Sequence, residues 1–284
     1  MDQGRASTMA MQSALQRAAH QWFDDEPKVL TDPVAERFLD SGARESYLAL
    51  EERSGRAHVA SVRVLLVLRN RFAEDELESA AARGVEQYVM LGAGLDTFAF
   101  RQPPFAAHLR LFDVDHPATQ AWKRARLAAA GLADPPNLRW APVDFERDAL
   151  ADGLAAAGFD ATRPACFSWL GVMMYLTWPA IDAVLGFVAA LPRPSTIVLD
   201  FVPPDEALTG FDLKAMQRLA AAIASVGEPL RTRPWPEVLA ARLRAAGFSR
   251  VSLLTPEEAN ARYFAGRRDG LRVPGYAPLV SATV

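Results

Sequence analysis

Two short stretches hold residues whose types and spacing suit ligand chemistry. In the first, Tyr88-Val89-Met90-Leu91-Gly92-Ala93-Gly94-Leu95-Asp96-Thr97, an apolar run leads into two glycines and then an acid. The second, Leu109-Arg110-Leu111-Phe112-Asp113-Val114-Asp115, is an apolar run that ends in acids roughly twenty residues further on. Strand, glycine turn, helix, strand, acid is the build of a nucleotide-binding βαβ unit. Glycine lets the backbone pass close to a ligand where a Cβ would intrude. An acid at the tip of the second strand can accept from both hydroxyls of a ribose.

The turn discriminates between ligands. A dinucleotide site reads G-x-G-x-x-G/A, with the diphosphate on the helix N-terminus. Here Thr97 takes the third position and Asp96 stands where a diphosphate would approach. A carboxylate repels phosphate there but suits a ligand carrying ammonium and sulfonium charge. The chemistry points to S-adenosylmethionine rather than NAD.

Bulk composition narrows the classes. The chain has 284 residues, half of them apolar, enough to bury a sizeable core. Net charge is −3 and the basic residues are scattered, which disfavours a nucleic-acid partner. The single cysteine, Cys166, excludes an internal disulfide and a cysteine-built zinc site, and no metal is expected. The N-terminal segment carries Asp2 and lacks an apolar stretch of signal-peptide type. No apolar run approaches the roughly 20 residues that span a bilayer; the segment 62–68 is interrupted by Arg63. The expectation is a soluble cytoplasmic protein without a membrane partner, a monomer or homodimer.

The elements that must position these residues follow from periodicity. Residues 8–22, 33–52 and 56–82 read as helices, giving an all-helical cap over 1–84. Strands are expected at 86–91, 109–114, 138–143, 164–170, 195–201 and 248–254. Helices are expected at 96–101, 116–131, 146–158, 178–190, 205–226 and 235–246. Such alternation predicts an α/β fold with a parallel sheet covered on both faces, over 85–284. The tail 278–284 reads as a strand with no helix before it, suited to antiparallel insertion. The stretch 203–227 looks like an insertion after the fifth strand that would join the cap.

The segment Val89–Arg101, the turn Phe112-Asp113-Val114-Asp115-His116-Pro117, and Gly171-Val172-Met173-Met174-Tyr175-Leu176-Thr177 together resemble the leucine carboxyl methyltransferase family. The resemblance implies a class I methyltransferase, a Rossmann-like seven-stranded sheet of order 3-2-1-4-5-7-6, and S-adenosylmethionine as cofactor. It also implies roles. Arg69 would clamp the donor's carboxylate, Gly92, Ala93 and Gly94 would line the donor, and Asp115 would take the ribose hydroxyls, with His116 beside it. Asp113 is read as turned away from the ligand. Asp144 and Phe145 would form the adenine site, although Asp144 also suits a helix N-cap. One departure stands out: the family's acid before the glycine of the fourth-strand motif is Leu170 here, in Trp169-Leu170-Gly171. Holding the donor's ammonium group would then fall on backbone carbonyls, on Asp96 or on water. Trp169 and Leu170 are still expected at the cofactor.

Methyl transfer from a sulfonium is an in-line displacement, so holding acceptor and methyl at attack distance is the main task. A carboxylate acceptor needs no base, whereas a phenol gains from one. Among the four histidines, His108 and His58 are read as solvated, and His20 is the candidate base because N-terminal helices lid such sites. Tyr175 would orient the acceptor oxygen or, equally, satisfy a buried backbone carbonyl. Trp22, Met173, Met174, Asp200 and Phe201 are the expected acceptor contacts, a set suited to a flat apolar substrate. The resulting expectation is an O-methyltransferase acting on a carboxylate or phenolic hydroxyl of a small secondary metabolite. The alternatives are a donor-binding protein without methylation activity and an NAD-dependent oxidoreductase.

Overall fold

The computed structural model of the chain describes residues 8–284 apart from 226, 228, 274 and 276–278. Seven strands form one sheet: β1 (Gln87–Leu91), β2 (Arg110–Asp115), β3 (Leu138–Pro142), β4 (Cys166–Trp169), β5 (Thr196–Asp200), β6 (Arg250–Leu254) and β7 (Leu279–Thr283). Their spatial order is β3-β2-β1-β4-β5-β7-β6, as expected. The pairs from β3 through β5 are parallel. β7 runs antiparallel to both β5 and β6. β1 and β5 are buried at every position, which suits apolar runs covered on both faces. Chain order reverses between β1 and β4, and at such a switch point the strand ends leave a crevice.

Among the described residues, three α-helices precede the sheet: α1 (Thr8–Phe23), α2 (Ala43–Ser54) and α3 (Arg56–Ala82). The rest are α4 (Pro117–Ala129), α5 (Leu150–Ala156), α6 (Trp178–Ala189), α7 (Gly210–Ser225), α8 (Pro236–Ala246) and the short α9 (Pro256–Ala259). Among the described residues, no helix is long and apolar enough to cross a membrane.

Several helices are shorter than their periodicity predicts, and side chains that compete for backbone N–H groups explain two of them. Instead of a helix over 96–101 there is a 3-10 turn, Phe98–Phe100, because the Asp96 carboxylate accepts from the Phe98 N–H at 2.7 Å. Instead of 146–158, α5 starts at Leu150. Ahead of it, Asp148 accepts from the Asp144 N–H at 2.8 Å and Asp144 from the Glu146 N–H at 3.1 Å. Asp144 is therefore a turn residue rather than a helix N-cap. The expected helix 33–52 is broken into a 3-10 turn, Ala35–Phe38, and α2, with Gly42 at φ 90° between them. The expected helix 205–226 is likewise a 3-10 turn, Asp205–Ala207, followed by α7, and residue 226 lies outside the described residues. Of the tail strand, Pro278 lies outside them too.

Buried ion pairs fasten the leading helices to each other and to the sheet. Arg63 on α3 donates to the Asp24 carboxylate through Nε at 2.8 Å and Nη2 at 2.7 Å. His20 on α1 completes the group, its Nδ1 2.6 Å from Asp24. Burial works against the charge on Asp24, but the hydrogen bonds from His20 and Arg63 outweigh it and hold the carboxyl below its ordinary value. A second group docks α1 on the turn after β1. Asp32, with no exposed surface, accepts from Arg17 Nε at 2.9 Å and from the Thr97 hydroxyl at 2.7 Å. Thr97, where a dinucleotide site would need a small residue for close packing, is occupied in the hydrogen-bonded group that docks α1.

Candidate active site

A cavity of about 420 Å³ opens at the carboxyl ends of β1, β4 and β5, beneath residues of α1, α3 and α7. Of the expected site residues, Arg69, Gly92, Ala93, Gly94, Asp96, Asp115, His116, Asp144, Phe145, Leu170, Met174, Tyr175, Asp200 and Phe201 line it.

One half is polar and built on the turn after β1. Gly92 and Gly94 have φ of 64° and 48°, the left-handed region where a Cβ is disfavoured. A Cβ on Gly94 would also stand 3.2 Å from the Cβ of Ala10, because α1 lies directly over the turn. Asp115, 7% exposed at the tip of β2, accepts from the Gly94 N–H at 2.5 Å and from the His116 N–H at 2.7 Å. Burial, aided by the charge of nearby Asp113, pushes its pKa up to about 6 despite those two donors. Asp113 is turned away from the cavity. It is fully packed in against Lys123, whose Nζ donates at 2.6 Å.

His116 caps α4 by accepting from the Ala118 N–H at 3.2 Å through Nδ1, which places the ring proton on Nε2, 4.0 Å from Asp144. Phe145 packs beside Trp169 with ring centroids 6.5 Å apart and forms an apolar wall next to Asp144. Asp96 accepts from the Asn70 side chain at 2.9 Å.

Arg69 reaches the same space from α3. Its Nη1 donates to Asp200 at 3.2 Å, its Nη2 reaches the Ser13 hydroxyl at 3.5 Å, and its Nε is buried with no hydrogen-bond partner among the described residues. The guanidinium lies flat over Gly171, where a Cβ would come within 2.5 Å of Nη1. Only glycine, here at φ 71°, admits that contact.

The other half is apolar. Val62, Leu65 and Leu66 of α3 and Met216, Leu219 and Ile223 of α7 face Met174, Tyr175 and Phe201. The segment that follows α7 closes this end: the Arg231 and Thr232 N–H groups donate to the Met174 carbonyl at 2.8 and 3.1 Å.

Four expected site residues lie elsewhere. His20 has no exposed surface and is not on the cavity wall; its Nε2 accepts from the Val29 and Leu30 N–H groups at 3.1 and 3.4 Å while Nδ1 faces Asp24. Both ring nitrogens are committed, so it is a structural histidine and not a base. Trp22 donates to Glu36 at 2.8 Å and packs edge-on to Phe23, away from the cavity. Trp169 and Met173 are fully buried in the main core. Residues that the sequence reading passed over include Ser13, Arg17 and Asn70 on the polar side and the α3 face 62–65–66 on the apolar side. That face is legible as an i, i+3, i+4 stripe continuing to Arg69 at i+7. Among the described residues, no group of three or more His, Cys, Asp or Glu could hold a metal ion.

The family model described as leucine carboxyl methyltransferase matches residues 10–189. A Bacillus subtilis protein named "Putative S-adenosyl-L-methionine-dependent methyltransferase YktD" is 35% identical over 209 residues, 72% of this chain and 67% of its own length. A Mycolicibacterium gilvum protein named "Putative S-adenosyl-L-methionine-dependent methyltransferase" is 36% identical over 167 residues, 58% of this chain, and the match spans only half of that relative. Among solved structures, a DUF574 family protein from Streptomyces avermitilis shares the fold with TM-score 0.61 at 18% identity, covering 96% of each chain. A Thermobifida fusca protein titled "putative methyltransferase" does so with TM-score 0.59 at 18% identity, over 99% of this chain and 96% of its own. The oxidoreductase alternative is thereby set aside.

Proposed function

The chain belongs to the leucine carboxyl methyltransferase family and is an S-adenosylmethionine-dependent methyltransferase, and on that premise we propose that it methylates oxygen, on a carboxylate or phenolic hydroxyl of a small, largely apolar metabolite. The observation that carries this reading is the asymmetry of the cavity: a polar half suited to the donor and an apolar half that, among the described residues, holds no histidine.

The residues fit the donor chemically. The Nε of Arg69, without a partner among the described residues, is a buried donor, and a carboxylate is its natural acceptor. Asp115 can accept from ribose hydroxyls, and Asp144 with Phe145 offers an acceptor and an apolar face for adenine. Asp96 places negative charge near the cationic end. When bound, S-adenosylmethionine supplies a methyl group on a sulfonium, already activated for displacement.

The chain's own task is then to orient the acceptor and exclude water. Orientation of this kind is worth on the order of 7–11 kcal/mol. Val62, Leu65, Leu66, Met216 and Phe201 desolvate the acceptor, and Tyr175, on the cavity wall, orients the acceptor oxygen. His116 is the only histidine among the described residues on the wall, and its Nδ1 is engaged in capping α4. Within the proposal this favours an acceptor that arrives ionised, a carboxylate ahead of a phenol.

A panel of labelled-methyl assays on aromatic carboxylates, aliphatic carboxylates, phenols and amines tests the reading. Base-labile methyl ester formed from an apolar carboxylate is the expected product. Label that appears only on nitrogen or carbon acceptors would sink it.

A further inference from the structure

We propose that Asp200 receives the ammonium group of the methyl donor, working with Arg69 as a charge pair matched to the donor's zwitterionic head. The inference rests on the reading that the polar half of the cavity holds the donor.

Asp200 is the last residue of β5, and Trp169 pairs with Leu199 in the parallel register of β4 and β5. The residue level with Leu170 is therefore Asp200, one strand over, a displacement of about 4.8 Å. Leu170 itself packs into the apolar cluster formed with Val67, Leu68 and Leu279 and presents no charge at that point. The negative charge that β4 lacks stands on its neighbour instead.

The surroundings of Asp200 suit a ligand-facing role. It lines the cavity at 8% exposure. Its Oδ1 accepts from the Gly171 N–H at 2.5 Å and its Oδ2 from Arg69 Nη1 at 3.2 Å. A carboxylate has about four acceptor positions, so these two bonds leave room for a third donor. Arg69, in turn, retains an Nε with no partner among the described residues. A cation and an anion held side by side, each with unused capacity, are the electrostatic complement of an α-amino acid, whose ammonium and carboxylate are also side by side. Each charge of the ligand would meet its opposite, and neither protein charge would lose its existing partner.

Calorimetric titration of the full chain with three ligands tests this. They are S-adenosylhomocysteine, its deaminated analogue with hydrogen in place of the ammonium, and 5′-methylthioadenosine, which has no amino-acid head. In the unmodified protein the deaminated analogue is expected to bind at least ten-fold more weakly than S-adenosylhomocysteine; equal affinity overturns the proposal without any variant. Asp200→Asn keeps an acceptor for Gly171 but removes the charge. It is expected to weaken S-adenosylhomocysteine ten-fold or more and to leave the other two ligands within two-fold. An equal loss for all three would make Asp200 a packing residue and overturn the assignment, as would unchanged S-adenosylhomocysteine binding. Asp115→Ala is the control for the donor site: it should weaken all three ligands. If it weakens none, the placement of the donor falls and the role of Asp200 falls with it; if it behaves as expected, a failure at Asp200 belongs to Asp200 alone.

Discussion

The backbone N–H of Gly94 donates to the carboxylate of Asp115 at 2.5 Å, tying the turn after β1 to the tip of β2. The bond holds the carboxylate in place, yet burial still pushes its pKa up to about 6. A charge kept at the cavity against its own solvation implies a cost to the fold, and two predictions follow from it.

The first concerns stability. In the folded chain Asp115 holds its proton to about pH 6, whereas in the unfolded chain it releases it near 3.8. Folding therefore takes up protons in that window, and stability falls as pH rises through it. Asp115→Asn should raise the melting temperature at pH 7.5, by an amount equivalent to at most about 3 kcal/mol. The gain should shrink to about half at pH 5 and approach zero only below the unfolded value of 3.8. Thermal denaturation at the two pH values checks both sign and trend, and a variant less stable at pH 7.5 would contradict it.

The second concerns affinity. Asp115→Ala should weaken S-adenosylmethionine binding ten-fold or more, because hydrogen bonds to a charged acceptor are lost. In the unmodified protein, binding should weaken as pH falls from 7.5 toward 5, when the carboxyl protonates. Titration calorimetry across that range measures it; a flat profile would mean that another group holds the ribose.

Gly171→Ala should disturb the site more than the fold. The left-handed backbone costs about 1–2 kcal/mol with a Cβ present, and the new methyl would displace the Arg69 guanidinium. Gly158, at φ 85° with nothing within 4 Å of a Cβ, is the matched control. Both variants should melt lower by similar amounts, but only Gly171→Ala should lose donor affinity, by ten-fold or more. Equal affinities would show that Arg69 does not contact the donor.

His20→Ala should act on stability rather than on rate. It strips a partner from Asp24 and leaves the Val29 and Leu30 N–H groups buried without an acceptor. Each such group costs about 1–3 kcal/mol, so a pronounced drop in melting temperature is expected. Turnover of the folded enzyme should fall less than three-fold, with an unchanged pH–rate profile. A hundred-fold loss in a fully folded variant would restore His20 as a base.

The sheet order and most of the polar half of the site were legible in the sequence because their signals are local. An apolar run ending in glycines, a second ending in Asp115, and Asp144 closing the third lie at strand tips that parallel pairing brings to one edge. The failures have equally specific causes. Along β4 side chains alternate, so Ser168 and Leu170 reach the cavity while Trp169, between them, points into the core. In the 3-10 turn Met173–Tyr175, Met173 faces inward and the next two residues face the cavity. His20 continues the face of α1 that carries Ser13 and Arg17, but one turn beyond the cavity it meets Asp24 and the backbone at Val29 and Leu30. Only the tertiary path of the segment after α1 decides that, and no local pattern encodes it.

Among the described residues, β6 joins the sheet only through β7, the strand that follows it in sequence. During synthesis, residues 250–254 thus emerge with no edge to join until residues 279–283 follow them. For that interval the hydrogen-bonding rim of β5 stays open to other strands, including those of neighbouring nascent chains. The interval between the synthesis of β5 and that of β7 is thus when this molecule is most exposed to mispairing.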